Sequence, residues 1–460
     1  MKHVFRLSTL GVALAAAWPL GAAAQSNEAL LKELQALKAR VEQLEGKLKD
    51  AEAKLPPAGA QWGMTPEQAA ELNRVVVKSE ALEDARDSAG FKGLKISGWA
   101  DPTYIWNRNT RTSGFQFLNA VSDGGYAYDN SYFGSATIDF QKEMENGTRW
   151  RLTLSPQRGV GAVVDGKSIV QEASVSVPLG EPTTRLIAGQ IPDWSGYEYQ
   201  QPMLNKLVTH NLLYDFTLPT AYTGVGFELT SGKWLGKVVV ANMNATKRNP
   251  REKTPVIAYR VDYSRGEYQG FGFAGVHGKA ANFRGDDVNP ITGDPYNTRD
   301  TVVNLFEVDA YFIRGDLTLQ GQVGVGMQKQ AAITADPVTG ALRDSRWAGV
   351  SVLGAYRFTP RLEGIVRADY ISNKKNGGGL LGYGFADPVN GIGPDPAGDP
   401  EVGANRTALS LGLGYVLDEN TSIKAEYRLD RASQPVFLDV KSGVLRKSNQ
   451  VFGASVVVHF

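Results

Sequence analysis

The stretch from Ile191 to Thr223 holds the residues best suited to handling a solute. Trp194, Tyr197, Tyr199, Tyr214, Phe216 and Tyr222 are interleaved with few charges: Asp193, Glu198, Lys206, His210 and Asp215. Aromatic rings offer flat apolar faces, and the charged groups can orient an ion or a polar solute. Covalent chemistry has little to work with. Cysteine is absent, which removes disulfides, thiolate metal ligands and a thiol nucleophile. No G-x-S-x-G elbow occurs, so a histidine with scattered serines makes a hydrolase only a minor alternative. Nothing in the pattern asks for a cofactor or a resident metal. Asp286, Asp287 and Asp294 offer oxygen ligands of the kind calcium takes. They sit around "NPITG", which with "DPVTG" and "DPVNG" reads first as turn chemistry.

A second set of charges recurs at period 2 along strand-like runs. Arg149, Arg151, Arg260, Arg367 and Arg428 stand against Glu172, Asp262, Glu307, Asp309 and Asp369. Facing the carboxylates of the 191–223 connection across water, such arginines set a transverse field that filters solutes by charge and size. Local ion pairs are the plainer reading of each residue. Acids and bases nearly cancel overall, with 49 Lys plus Arg and 48 Asp plus Glu. That balance argues against a nucleic-acid partner.

What must position these groups is a two-faced sheet. In "IAYRVDY", Ile257, Tyr259, Val261 and Tyr263 oppose Arg260 and Asp262; in "FEVDAYF", Phe306, Val308, Ala310 and Phe312 oppose Glu307 and Asp309. "IKAEYRL" and "LTLQGQVGV" alternate likewise. Turn-like links such as "SGK", "RGE", "RGD" and "LDEN" alternate with long polar ones near 108–129, 156–167, 192–221, 245–253, 279–301, 329–344, 373–404 and 432–447. Short turns on one rim and long loops on the other fit a membrane barrel of about 16 strands. The chain ends "GASVVVHF", with Phe452, Ala454, Val456 and Val458 on one face. A bare terminal strand needs a partner, and the first strand, near Leu94 to Ile105, supplies one in a closed barrel.

Ahead of the barrel the grammar differs. Residues 1–24 read as a secretory signal, with basic residues, an apolar run and a small-residue close. Over 25–55, Leu30, Leu34, Leu37, Val41, Leu44, Leu48, Ala51 and Leu55 make a heptad seam, hence a coiled coil and a homo-oligomer. Residues 56–90 read as a linker and a short helix from Thr65 to about Glu83, with the barrel over 91–460. The fold class is all-β: a transmembrane antiparallel barrel preceded by a short α-helical coiled coil.

The stretches "LKISGWADPTYIW", "AYDNSYFGSATIDFQKE", "RLIAGQIPDWSGYEYQQPMLNKLVTHNLLYDFTLPTAYTGVGFEL" and "VVVHF" resemble Gram-negative outer-membrane porins. The resemblance points to the β-barrel porin family related to phosphate-selective and other substrate-selective porins, within an uncharacterised proteobacterial branch. It implies a diffusion channel for small hydrophilic solutes or ions, embedded in outer-membrane lipid, with the third long loop narrowing the lumen. It further implies a homo-trimer with its coiled coil in the periplasm, and Phe460 as the signal read by the barrel-assembly machinery. The alternative is a non-conducting anchor or tether acting through the coiled coil.

Overall fold

The computed structural model describes residues 38, 71, 74–81, 90–117, 134–155, 169–243, 255–266, 268–282, 284 and 287–460. The signal and coiled-coil assignments lie outside them apart from residue 38. Residues 74–81 are helical, inside the helix expected from Thr65. No helix among the described residues is long and apolar enough to cross a membrane.

The barrel is a closed antiparallel sheet of 16 staves. They are β1 (Leu94–Ala100 continuing as Thr103–Asn107), β2 (Thr112–Gln116 and Ala136–Glu143), β3 (Arg149–Leu154), β4 (Val170–Leu179), β5 (Glu181–Pro192), β6 (Ala221–Ser231), β7 (Trp234–Met243) and β8 (Val256–Ser264). There follow β9 (Gln269–Ala281), β10 (Asp300–Arg314), β11 (Leu317–Gln328), β12 (Ser345–Arg357), β13 (Leu362–Ser372), β14 (Arg406–Val416), β15 (Thr421–Ala432) and β16 (Ser448–His459).

Closure is made by β1 against β16. Ala100 opposes Val458 and Thr103 opposes Ser455, so the register is unbroken across Asp101–Pro102. Val456 N donates to Pro102 O at 3.2 Å, but proline has no N–H to return the bond. Phe460 N and Gly98 N exchange bonds with each other's carbonyls at 3.1 Å. The terminal strand thus has its expected partner.

Alternation sets which face meets what. Val225, Phe227, Val240, Phe306, Val323 and Leu411 point outward and are exposed, as lipid contact requires. The opposite parity carries Arg260, Glu307, Arg367, Glu426 and Arg428, all buried.

One expectation shifts. The first outer connection is a tight turn at 108–111 rather than a loop over 108–129, because Asn107 Oδ1 accepts from Asn109 N and Thr110 N. β2 is instead interrupted by residues 118–133, outside the described set. The sheet resumes where Asp101 accepts bonds from Gly134 N and Ser135 N. The three repeated turns do form: Asn289, Asp336 and Asp387 each accept two following backbone N–H groups. Of the acids weighed for calcium, Asp286 lies outside the described residues, Asp287 pairs with Arg284 at 2.9 Å, and no metal-competent cluster exists among the described residues.

Candidate functional site: the third loop in the lumen

The connection after β5 turns into the barrel instead of out from it. Its entry is fixed by Asp193, whose carboxylate accepts from Tyr222 Oη (2.6 Å), Ser195 N (2.9 Å) and Ser195 Oγ (3.0 Å). Trp194 packs on Tyr222 with ring centroids 5.1 Å apart. Gly196 follows with φ of 80°. A Cβ there would lie 2.8 Å from Gln322 Oε1, so glycine is required both by conformation and by contact. Its N–H donates to Glu307 on β10.

Beyond Gly196 the loop crosses the lumen and is tied to strand after strand. Tyr197 Oη meets Ser351 Oγ on β12 at 2.6 Å, and Ser351 donates to Asp369 at 2.7 Å. Glu198 accepts from Arg367 Nη1 on β13 at 2.8 Å and from Asn211 N at 2.6 Å. Gln200 accepts from Gln171 on β4, across the barrel. Tyr199 N donates to Asn205 Oδ1 at 2.9 Å. Lys206 pairs with Glu363 on β13 at 2.7 Å.

The firmest seat is on β13 and β15. Glu426 accepts from Val208 N (2.9 Å), Thr209 N (2.6 Å) and Thr209 Oγ1 (2.7 Å). Arg367 donates to Thr209 O (2.7 Å) and His210 O (2.8 Å). Arg428 donates to His210 O (2.7 Å) while pairing with Asp430 at 3.1 Å. Every charge here has partners, as a network removed from water must.

These bonds also explain the loop's shape. In the sequence, Leu204, Leu207, Asn211 and Tyr214 stand at helical spacing. Only α1 (Leu212–Thr217) and a single turn at Pro202–Leu204 form. The N–H groups of Val208 and Thr209 are taken by Glu426, so they are not free to bond along a helix axis. Asn211 caps α1, accepting from Leu213 N and Tyr214 N at 2.9 Å. α1 presents Leu212, Leu213 and Phe216, all buried. Above it, Tyr383 of the 373–405 loop meets Phe216 edge-on at 5.4 Å, and Arg406 lies 5.2 Å over the Phe216 ring.

Burial governs the electrostatics of the loop. It pushes the Glu198 carboxyl up to about 7, against the pull of Arg367 and the Asn211 N–H. It pushes the His210 imidazole down to about 3, although Nε2 meets Tyr199 O at 2.8 Å. The His210 ring stacks on Tyr214 with centroids 4.2 Å apart. Asp215 is buried on α1.

The wall arginines do not act as one set. Arg367 pairs with a loop carboxylate, Glu198. Arg260 is held by Asp262 and Asp309 on its own wall, each at 2.7 Å. Arg151 is held by Asp139 at 2.7 Å and Glu172 at 3.0 Å. Arg149 pairs with Glu143 at 3.1 Å near the 144–148 turn and is partly exposed. These contact pairs are of the local kind that is the plainer reading of each arginine taken singly. Thr209, Ser351 and Asp139 were not singled out from the sequence, while Asn211 was read only as a helical position and Glu426 only by its face in "IKAEYRL". Glu426 had a usable signal, lying two residues from Arg428 on the same face. The others needed the loop's path.

Comparison with known proteins adds the following. A model of the family "Protein of unknown function (DUF3138)" matches residues 60–460. No curated protein matches the chain. Among solved structures, outer-membrane expressed OmpT of Vibrio cholerae aligns with a TM-score of 0.50 and 11% identity, covering 80% of this chain and 97% of that one. An anion-selective porin from Comamonas acidovorans gives 0.49 and 10% over 80% and 99%. Salmonella typhi OmpF in complex with daunomycin gives 0.48 and 12% over 80% and 97%. At such identities the likeness is one of fold, and the first of these carries it. A porin-like barrel whose family match spans most of its length, the chain belongs to the DUF3138 family, a family of unknown function.

Proposed function

We propose that the chain is an outer-membrane porin passing small hydrophilic solutes or ions by diffusion, with loop 193–220 setting the width and polarity of the path. The observation that supports this most is the seating of that loop on the inner wall. Glu426, Arg367 and Arg428 hold its backbone inside the lumen, where a surface loop would have no such partners. Asp193, Trp194, Tyr197, Glu198, Tyr199, Lys206, His210 and Asp215 are the constriction residues in this reading. No covalent step or cofactor enters it. Kinship with substrate-selective porins, trimeric assembly, a periplasmic coiled coil and recognition of Phe460 during assembly belong to the same proposal.

Planar-bilayer recording tests it. The full chain should conduct, and removing Tyr197–Asp215 should raise single-channel current and move cation/anion permeability toward the bulk-solution ratio, because bulk water then screens the wall charges. Equal conductance and selectivity in both proteins would refute the loop's role. A second reading has its own support. Arg260, Arg367 and Arg428 are buried to 1% exposure or less, so the loop fills the lumen where it sits. A barrel that stays shut would serve as an anchor, and a folded protein that never conducts would favour it.

A further inference from the structure

The outward face just beyond the apolar band carries a group of cations that the pore does not use. Pairing across β9 to β12 places two rows side by side. One runs His277, Asn304, Met327, Arg346. The next, one step toward the long loops, begins Lys279 and Val302, and Lys329 N donates to Val302 O at 2.9 Å. All share the parity of exposed Phe306, Val308, Val323 and Val325, which lie on the same strands toward the other rim. Lys279 and Lys329 are exposed. With strands about 4.8 Å apart, they stand roughly 10 Å from each other, and two flexible lysines can close on one anion from that distance.

Polar groups reach down beneath them. His277 bonds Asn304 at 2.9 Å and Tyr259 Oη at 3.3 Å, on a face that otherwise meets hydrocarbon. Such groups are costly against acyl chains and favourable against head groups. Among the described residues, the nearby acids include Asp344, 3.8 Å from Arg346, whose side chain stays 55% exposed, and Asp300, at the strand end opposite Ala281.

We propose that Lys279, Lys329 and Arg346, with His277 and Asn304 beneath them, dock a phosphate-bearing lipid head group from the leaflet on the long-loop side. Its acyl chains lie along Phe306, Val308, Val323 and Val325. Charge complementarity selects this occupant: exposed cations directly above an apolar face match a phosphorylated amphiphile and nothing neutral. The inference rests on the barrel lying in a membrane, not on conduction, so a silent channel would leave it standing.

The test uses the full chain in nanodiscs of zwitterionic phospholipid doped with a bisphosphorylated acyl-disaccharide, read by native mass spectrometry. Each basic residue near a membrane surface contributes roughly fivefold to retention of an anionic lipid. K279A/K329A/R346A should therefore weaken retention about a hundredfold, and K329A alone about fivefold. The phosphate-free disaccharide should not be retained, millimolar inorganic phosphate should not displace the lipid, and R314A/R357A/R361A at the other rim should bind normally. Unchanged retention by both the triple and the single variant overturns the proposal. So does equal retention of the phosphate-free lipid, displacement by free phosphate, or an equal loss in the other-rim variant.

Discussion

Replacing Glu426 with alanine should unseat the third loop while leaving the barrel closed. The carboxylate holds Val208 N, Thr209 N and Thr209 Oγ1 at 2.9, 2.6 and 2.7 Å. Hydrogen bonds to a charged group are each worth roughly 1.5–3 kcal/mol, but these share Arg367 and do not add. The cost of breaking a buried pair, about 3–5 kcal/mol, is the better guide. At about 1.4 kcal/mol per tenfold, loop opening should become roughly two to three and a half orders of magnitude more frequent. Lys206, paired with Glu363 at 2.7 Å, provides the readout. Trypsin should cut after Lys206 faster by that factor when opening is fast relative to cleavage. The barrel should keep its heat-resistant mobility on a gel, and Glu426→Gln should fall between wild type and alanine. Cleavage at the wild-type rate in a folded E426A barrel would refute the view that this carboxylate holds the loop.

Acid should loosen the same loop only below a threshold. His210, lowered to about 3, favours the seated loop above its ordinary value of 6.5, and that support fades as pH falls toward 3. Glu198, raised to about 7 from 4.5, gains in the opposite sense as pH falls from 7 to 4.5. Asp193, raised to about 6 from 3.8, gains in the same sense as Glu198, so the loop stays held down to about 3.8, and current noise should rise only below that and should stay flat in H210N. Phe460→Asp should lower the amount of protein inserted, since Phe460 bonds Gly98 at the closing strand pair and is 67% exposed; normal levels on quantitative blotting would count against this. Val323→Arg, on the outward face of β11 at 54% exposure, should destabilise the barrel by about 2–4 kcal/mol if it lies near mid-bilayer, read as a lower urea midpoint in liposomes.

Much of the wall was legible because a lipid-facing barrel imposes period 2 on every stave. Ile257 against Arg260 and Phe306 against Glu307 announce the two faces without any tertiary information. Even the stave count survives an error, since the tight turn at 108–111 leaves the number unchanged and only moves the long insertion into β2. The site was legible in part. Aromatic content marked the third loop, but its local helical spacing misled, because Glu426, more than two hundred residues away, takes the N–H groups that a helix would use. The arginines and the acids that offset them were found by parity, yet which acid each would take was not. Arg260 turns to Asp262 and Asp309 while Arg367 turns to Glu198. Pattern gives the face a side chain occupies; only the folded register decides which neighbour it reaches.

The join between β1 and β16 has a lopsided strength. At Pro102 and Val456 one bond runs across at 3.2 Å and none returns. Every other stave in the barrel is linked to its predecessor by a short or long connection in the same chain, whereas this pair is held by pairing alone. Mechanical load on the wall, whether from osmotic swelling of the envelope or a pull on the N-terminal segment, therefore finds its easiest parting line there. Unfolding would start by peeling the last strand away rather than by splitting the middle of the sheet, and a barrel re-cut to begin elsewhere would trade this fault line for a new one at the chosen loop.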